Sequence, residues 1–536
     1  MKRLLLSCLL ALAACTSPRP NAPVQAGDSK ASAVDAAAPA ASASPASASP
    51  ASATPAQAEA APAPKVLSLP RPKGGEWMGL YVLGKKAGWA FSDMREGELD
   101  GRKVVVSISR VVIKASVGGA AMERDVRDER FYDYKDGGSL LVLRQEKHGD
   151  GGDEVLIARN LGEAVELKRV RPGLPDEVRK LPATTEKVED ADPARFVIAT
   201  REKRLGANFD LERLLADKKV DTEFDGELTV TAAGVSVPAA RTKTIEEESR
   251  LPIVSVVAKD GRQLELQFGE VMVGKAESEQ VAKQLDKVDI FNLTRVVLDK
   301  PLPEGMRVPG SSIVWRVAGL TRDMPLPGGR QVVSDGKDGT PLLTISTRLP
   351  KERAQRPIAP GADKDLLDAL KPNLAVESDA PAIVAKAKEV VGEEKDAWAA
   401  ARKVNAFVNG FLDKAYGSSS DRATDVLSTR RGDCTEHALL MASLLRAVGI
   451  PAKRIDGLVY MKASDGVPAL YWHEWVEVYV GEWVQMDPTF NQVVADPSHI
   501  ALGSEAKADT AGLIGKLKFE PVEIKPGKPS PVPAAK

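Results

Sequence analysis

The sequence predicts an α+β protein in which a long antiparallel β region precedes a smaller core of helices and antiparallel strands. Three observations predict it. The first half repeats short runs of β-branched residues separated by Gly and Asp turn signals. After Asp379 the apolar spacing changes from about two residues to about 3.6. A helix start near Cys434 is then followed by three more strand patterns. With 74 basic and 75 acidic side chains among 536 residues, the charge balance gives no reason to expect nucleic-acid binding or a polybasic membrane patch.

Residues 1–14 open with Lys2 and Arg3, continue through an apolar run from Leu4 to Ala13 and end in small residues. This is the pattern of an export signal, too short to span a bilayer. Leu12-Ala13-Ala14-Cys15 resembles the lipobox of bacterial lipoproteins, which implies cleavage before Cys15 and lipidation of its thiol. An ordinary cleaved signal without lipid is the alternative. Thr16, rather than Asp, in the next position resembles an outer-membrane sorting signal, so the expected location is the periplasmic face of the outer membrane. Residues 15–64 are almost entirely Ala, Ser and Pro and cannot bury enough apolar surface to order themselves. They are expected to form a disordered tether, with a reach of several tens of Å. No later apolar run is long enough for a transmembrane helix, so the lipid is the expected membrane attachment.

A β-rich domain is expected over 65–294. Leu264, Leu266 and Phe268 alternate with polar residues, the period of a half-buried strand. Lys103 to Ile113, Leu140 to Glu146, Glu154 to Ala158 and Glu227 to Val237 read as further strands of one large, curved sheet. Residues 295–379 contain Ser312 to Val317 and Gln331 to Val333, expected as a small separate sandwich, and then a connector rich in Pro and charge. His148 to Asp153 and Ser334 to Gly339 superficially resemble calcium loops. Neither has the ligand spacing or closing Glu of one, and both read as hairpin turns.

Trp398, Ala401, Val404, Phe407, Val408 and Phe411 recur at helical spacing with polar residues between them, an amphipathic helix whose stripe is core. The next helix starts near Cys434, carries Leu439, Leu440, Leu444 and Leu445, and stops at Gly449-Ile450-Pro451. Strands are expected at Arg454 to Tyr460, Trp472 to Val480 and Glu482 to Met486, the last two joined by a tight turn at Gly481.

The chain has three cysteines. Cys8 leaves with the signal and Cys15 takes the lipid, so Cys434 is the one thiol expected to remain free. In the first turn of its helix it meets unpaired backbone N–H groups and a dipole that favour thiolate. His473, on a following strand, is the best placed imidazole to stabilise that thiolate and protonate a leaving amine. Asp487, just past the adjacent strand, would lie beside His473 and orient the ring. The bland reading of Cys434 is small core packing. A zinc site would need both His437 and His473 around Cys434, and no metal or cofactor is expected. His437 is expected beneath the site, His499 in a structural role, and Glu436 as a cap or solvated. Trp472 and Trp475 lie on opposite rows of the strand, Trp472 being a candidate for the substrate groove. Tyr416 is a candidate partner of the Cys434 N–H in an oxyanion hole.

Gly432-Asp433-Cys434, Leu445 to Pro451, His473-Glu474-Trp475-Val476-Glu477-Val478 and Met486-Asp487-Pro488-Thr489 together resemble the transglutaminase-like superfamily, relatives of the papain-like proteases. The resemblance covers a domain of about 380–505, followed by a C-terminal strand and Pro-rich tail over 506–536. It implies a papain-like core in which Cys434 is the nucleophile, His473 the acid and base, and Asp487 the orienting group. It also implies an acyl-thioester formed from a peptide or amide substrate and passed to water or to an amine, with hydrolysis favoured because no amine-acceptor site is evident. Glu474 departs from the family pattern, where Ala is common beside the His. The partner is then a protein or peptide of the cell envelope. The alternative is a non-catalytic envelope binding or assembly module that keeps the fold.

Overall fold

The computed structural model describes residues 62–149, 152–209, 217–232, 234–246, 252–304, 306–320, 329–337, 339–361, 363–415, 420, 422–462, 465–504 and 510–527. The expected signal, Cys15, nearly all of the tether, Tyr416 and the tail from 528 lie outside the described residues.

The N-terminal β region is one sheet of fourteen strands, every neighbouring pair antiparallel. The chain starts in the middle with Glu76–Val82 and walks outward, one neighbour at a time, to Glu177–Pro182 at one edge. A 3-10 turn at Val188–Ala191 and the helix Pro193–Thr200, opened by Pro at its first position, carry it to the far edge at Arg204–Asn208. It then returns inward to Met272–Glu277, which pairs with the first strand. Glu227 to Val237, read from sequence as one strand, is instead the tip of a hairpin between Lys218–Ala232 and Val235–Glu246. Gly234, at φ +78°, supplies the left-handed residue that this turn needs, a signal hidden among β-formers. The strands flanking His148 to Asp153 and Ser334 to Gly339 pair as hairpins, as the turn readings expected.

The small sheet has the order Gln331–Asp335, Pro341–Ser346, Ser312–Ala318, Lys518–Lys525. It is therefore completed by the C-terminal strand, whose pairing with residues 312–318 no local pattern announces. Ile313, Trp315 and Val317 alternate inward from it and share one core with Met78, Leu80, Val111 and Ile113 of the large sheet.

The third sheet carries Val296–Val297, Pro468–Tyr479, Ala452–Lys462 and Ile500–Ser504 in that order, with Trp483–Met486 pairing to the distal part of Pro468–Tyr479. Its Leu458, Leu470, Trp472 and Ile500 enter the core shared by all three sheets. The helices Pro381–Val391, Ala397–Phe411 and Ala423–Thr429 pack on the helix Cys434–Ala447, which is buried over nearly its whole length. This burial explains its almost continuous apolar sequence.

Candidate active site

Cys434 is the first residue of its helix and keeps 1% of its surface exposed. Asp433 caps that helix, its Oδ1 accepting the Thr435 N–H at 3.0 Å. Glu436 Oε2 accepts the Asp433 N–H at 2.8 Å, completing a capping box. Its Oε1 accepts the Ser420 N–H at 3.1 Å. Glu436 is thus a cap, as expected, but buried rather than solvated. Burial pushes its carboxyl up to about 7 in spite of its hydrogen bonds with Asp433. Gly432 makes the box possible, since a Cβ there would lie 2.3 Å from that of Glu436.

His473 lies in the strand Pro468–Tyr479, opposite Gly457. A Cβ on Gly457 would fall 2.1 Å from the Ile500 carbonyl oxygen and 2.6 Å from the Trp475 ring, so only glycine fits. Pairing of Val476 with Met486 delivers Asp487 to the end of the neighbouring strand. There His473 Nε2 donates to Asp487 Oδ2 at 2.8 Å. Asp487 Oδ1 accepts the N–H groups of Thr489 at 2.6 Å and Phe490 at 3.1 Å, which fixes the carboxylate. Both side chains are fully enclosed. Phe490 stacks on the His473 ring with centroids 5.0 Å apart, and the Trp475 ring stacks on it at 5.9 Å.

With Nε2 committed to Asp487, Nδ1 is the other buried nitrogen of the His473 ring, and Cys434 acts on that ring through its charge and a side-chain hydrogen bond. Nδ1 is the nitrogen left to exchange a proton with Cys434. Burial by itself favours a neutral ring, but Asp487 and Cys434 outweigh it and raise His473 to about 10. Burial likewise works against the Asp487 carboxylate, and His473 together with His499 reverses the effect, holding the carboxyl far below its usual range. Opposed charges in one dry pocket are the condition for a thiolate–imidazolium pair.

His499, expected in a structural role, is buried and makes a contact with the site that the sequence did not announce. Its Nε2 donates to the same Asp487 Oδ2, at 2.9 Å. Its position in Asp496-Pro497-Ser498-His499 carries no motif, and the signal available was only that three of the chain's four histidines fall within the core region. His473, Asp487 and His499 place one ligand atom each within 4.8 Å of one another, a geometry that can hold a divalent ion. Hydrogen bonds already engage both Nε2 atoms. The grouping also differs from the His437–His473–Cys434 set considered from sequence. His437 sits buried beneath the site, its Nδ1 2.6 Å from the Asp433 carbonyl, and burial lowers its pKa.

Trp472 is a correction. The strand's alternation turns it away from His473 into the core between the sheets, where Nε1 donates to the Thr294 carbonyl at 3.1 Å. It lines no groove beside Cys434. Glu474 shares that opposite face and meets Arg454 in a bidentate pair at 2.5 and 3.0 Å. The departure from the family pattern is therefore an internal ion pair remote from His473's face.

A helix-borne Cys followed by His and Asp on an antiparallel sheet is the arrangement of the papain-like class. Residues 384–488 match the transglutaminase-like superfamily, and the chain carries a domain of that superfamily. Comparison with curated proteins gives no match. Among solved structures, the chain is similar to a proposed cysteine protease from Cytophaga hutchinsonii, at 17% identity over 40% of this chain and 85% of that one, with a TM-score of 0.27. A β-barrel-like protein of domain of unknown function DUF1849 from Brucella abortus gives 11% identity over 38% and 94%, with a TM-score of 0.29. A proposed protease from Parabacteroides distasonis gives 12% over 66% and 69%, with a TM-score of 0.17.

Proposed function

We propose that the chain is an exported cysteine enzyme of the transglutaminase-like type, forming an acyl-thioester from a peptide or amide and passing it to water more readily than to an amine. The observation that carries this reading is the division of labour on His473. One ring nitrogen is held by Asp487 at 2.8 Å, and Cys434 raises the proton affinity of the same ring through its charge and a hydrogen bond.

In this reading the Cys434 sulfur attacks the substrate carbonyl carbon and the C–N bond breaks as His473 gives its Nδ1 proton to the leaving amine. Water then adds to the thioester while His473 takes its proton, and the acid leaves as the C–S bond breaks. The Cys434 backbone N–H would face the developing oxyanion, and Tyr416 stays the second donor the sequence suggests, outside the described residues. Asp487 keeps the ring in the tautomer that puts a proton donor or acceptor at Nδ1. The residues 1–15 pattern supports export and attachment through Cys15 at the periplasmic face of the outer membrane, with an envelope protein or peptide as substrate.

One observation favours a second reading, a non-catalytic binding or assembly module: Cys434 and His473 each keep only 1% of their surface. Labelling with an electrophilic amide-like probe from about pH 5 to about pH 9, read by intact mass, separates the two. Fast adduct formation that needs Cys434 and collapses in His473→Ala supports the enzyme. A rate no greater than that of an ordinary thiol, indifferent to His473, removes the enzyme reading.

A further inference from the structure

One face of the fourteen-stranded sheet changes character along its strands. Met78, Leu80, Val111 and Ile113 put the apolar end of that face into the core shared by the three sheets. Two residues earlier, at Glu76 and Ser109, the same face turns polar. Glu76, Ser92, Ser109, Asp128 and Gln145 stand opposite one another on five successive strands, in direct register. Neighbours in such a row lie about 5 Å apart at Cβ. Ser109 keeps 8% of its surface, Asp128 4% and Gln145 8%. Burying a polar row of this kind costs stability unless partners meet its groups.

The row is only partly met from within. Gln145 Nε2 donates to Asp128 Oδ1 at 2.9 Å, which leaves Oδ2 with Arg130 Nη2 at 3.5 Å. Glu76 is engaged at both oxygens, by Arg195 at 2.5 Å and the Gln263 N–H at 2.7 Å. Among the described residues, no hydrogen bond engages the hydroxyl of Ser92, Ser107 or Ser109. Gln145 Oε1, and Thr242 Oγ1 and Ser255 Oγ farther along the sheet, are buried without a partner. The three serines and Asp128 line a cavity of about 100 Å³, which Asp192, Arg195, Thr244 and Glu246 also line. An apolar cavity of roughly 150 Å³ admits benzene. This one suits a smaller group, and a polar one.

We propose that this cavity is a binding site for the ammonium end of a small amine, seated on Asp128 and the Ser109 hydroxyl. The sign follows from the lining, which carries six carboxylates and three guanidinium groups. The guanidinium groups are already engaged: Arg195 with Gly261, Asp192 and Glu76, Arg130 with Glu186, and Arg71 with the Val66 carbonyl and Asp192. From outside the lining Arg204 pairs with Asp190, Arg95 lies 3.5 Å from Asp93, and Glu186 pairs with Arg130, so an acidic excess remains. An ammonium brings three donors and no acceptor. It therefore complements a carboxylate oxygen beside open hydroxyls, where an anion would meet like charge. The cavity lies in the N-terminal sheet, outside the residues that match the transglutaminase-like superfamily.

The probe is ethanolamine, set against ethylene glycol, which has a hydroxyl in place of the ammonium, and glycolate, which carries the opposite charge. Saturation-transfer NMR on the full chain reads each dissociation constant, with melting temperature measured in parallel. Ethanolamine should bind at least about tenfold more tightly than either, as one charge-assisted hydrogen bond provides. Asp128→Asn keeps the volume, removes the charge and should weaken ethanolamine by about tenfold. Ser109→Leu fills the cavity and should abolish binding, so it serves if Asp128→Asn does not fold. Equal affinity for ethanolamine and ethylene glycol, or tighter binding of glycolate, overturns the proposal. So does ethanolamine binding that is unchanged in a folded variant, or no saturation transfer at millimolar ethanolamine. Competition by L-lysine or by glucosamine then tells a peptide amine from an amino-sugar amine as the source. Cys434→Ala should bind ethanolamine as wild type does, so the fate of the enzyme reading and that of this site are read separately.

Discussion

Asp487→Asn is the sharpest probe of the site, because Asp487 uses both oxygens in different ways. Oδ1 accepts two backbone N–H groups, from Thr489 and Phe490, and Oδ2 accepts two imidazoles. An amide offers one acceptor and one donor. If its carbonyl stays with the backbone, its NH₂ faces both rings, and His473 must present Nε2 as an acceptor. The single proton then sits on Nδ1, which can no longer take one from the thiol. If the amide is reversed, its NH₂ opposes the Thr489 and Phe490 N–H groups and the turn loosens. Either way the thiolate loses its counter-ion. An ordinary thiol with a pKa of about 8.5 is only about 3% ionised at pH 7, so alkylation of Cys434 should slow by roughly thirtyfold relative to a fully ionised thiolate. In a Ser–His–Asp triad the corresponding exchange lowers turnover by about 10⁴ through the same tautomer error. Removing one partner of a buried charged cluster should also destabilise the fold by roughly 3 to 5 kcal/mol. Alkylation kinetics at several pH values and chemical denaturation read the two effects separately. A variant that alkylates at the wild-type rate with an unchanged pH profile would refute the assignment of Asp487 as the group that holds the imidazolium.

Other consequences are open to direct measurement. Arg454→Met leaves the Glu474 carboxyl buried without its bidentate partner, and should cost roughly 3 kcal/mol near neutrality. Burial already pushes that carboxyl above its usual range, so the loss should shrink in acid, where the group is protonated in both states; Arg454→Met with Glu474→Leu should recover most of it in urea titrations. Gly457→Ala forces a methyl to within 2.1 Å of the Ile500 carbonyl, and should lower stability by at least about 1 to 3 kcal/mol, seen as a reduced melting temperature. For pH dependence, His473 is raised to about 10 from an ordinary value of about 6.5. The stability it contributes is complete below about pH 6.5 and is lost as pH rises through about 10. Cys434 is one cause of the elevation, so the alkaline fall in melting temperature should begin at lower pH in Cys434→Ala; coincident curves would count against the pair.

Legibility in the sequence followed how local each determinant is. The helix from Cys434 was readable because its cap, apolar stripe and Gly449 stop all lie within one stretch. The strand of His473 and its turn at Gly481 were readable for the same reason, and their short connection placed Asp487 near the ring. Trp472 was harder, since alternation puts it opposite His473 but does not say which face meets substrate; the large β sheet covers that face. His499 was harder still. It reaches Asp487 because Ile500–Ser504 pairs with Ala452–Lys462 on the far side of the sheet, a pairing that no spacing in the chain announces. The hairpin at Gly234 shows the converse failure, where a strong β composition on both sides masked a single turn residue.

The N-terminal sheet and the small sheet bear on the site through contacts that a papain-like core alone would lack. Asp425, on the helix just before Cys434, is paired with Arg169 at 2.8 Å, in one strand of the fourteen-stranded sheet, and with Arg171 just past that strand's end. Arg422, beside that helix, donates to the Leu374 carbonyl at 2.8 Å and lies 3.7 Å from Glu154 of the same sheet. On the other side of the Cys434–His473–Asp487 cluster, Arg330 of the small sheet's approach binds the carbonyls of Ala495, Asp496 and His499. Val296 pairs with Leu470, three residues before His473. The segment bearing the sulfur is thus tied to the large sheet, and the segment bearing His499 to the small one. The β regions therefore belong to the physical description of the site, because they brace the segments on both sides of it, while the Cys434 helix itself packs directly on the strand of His473.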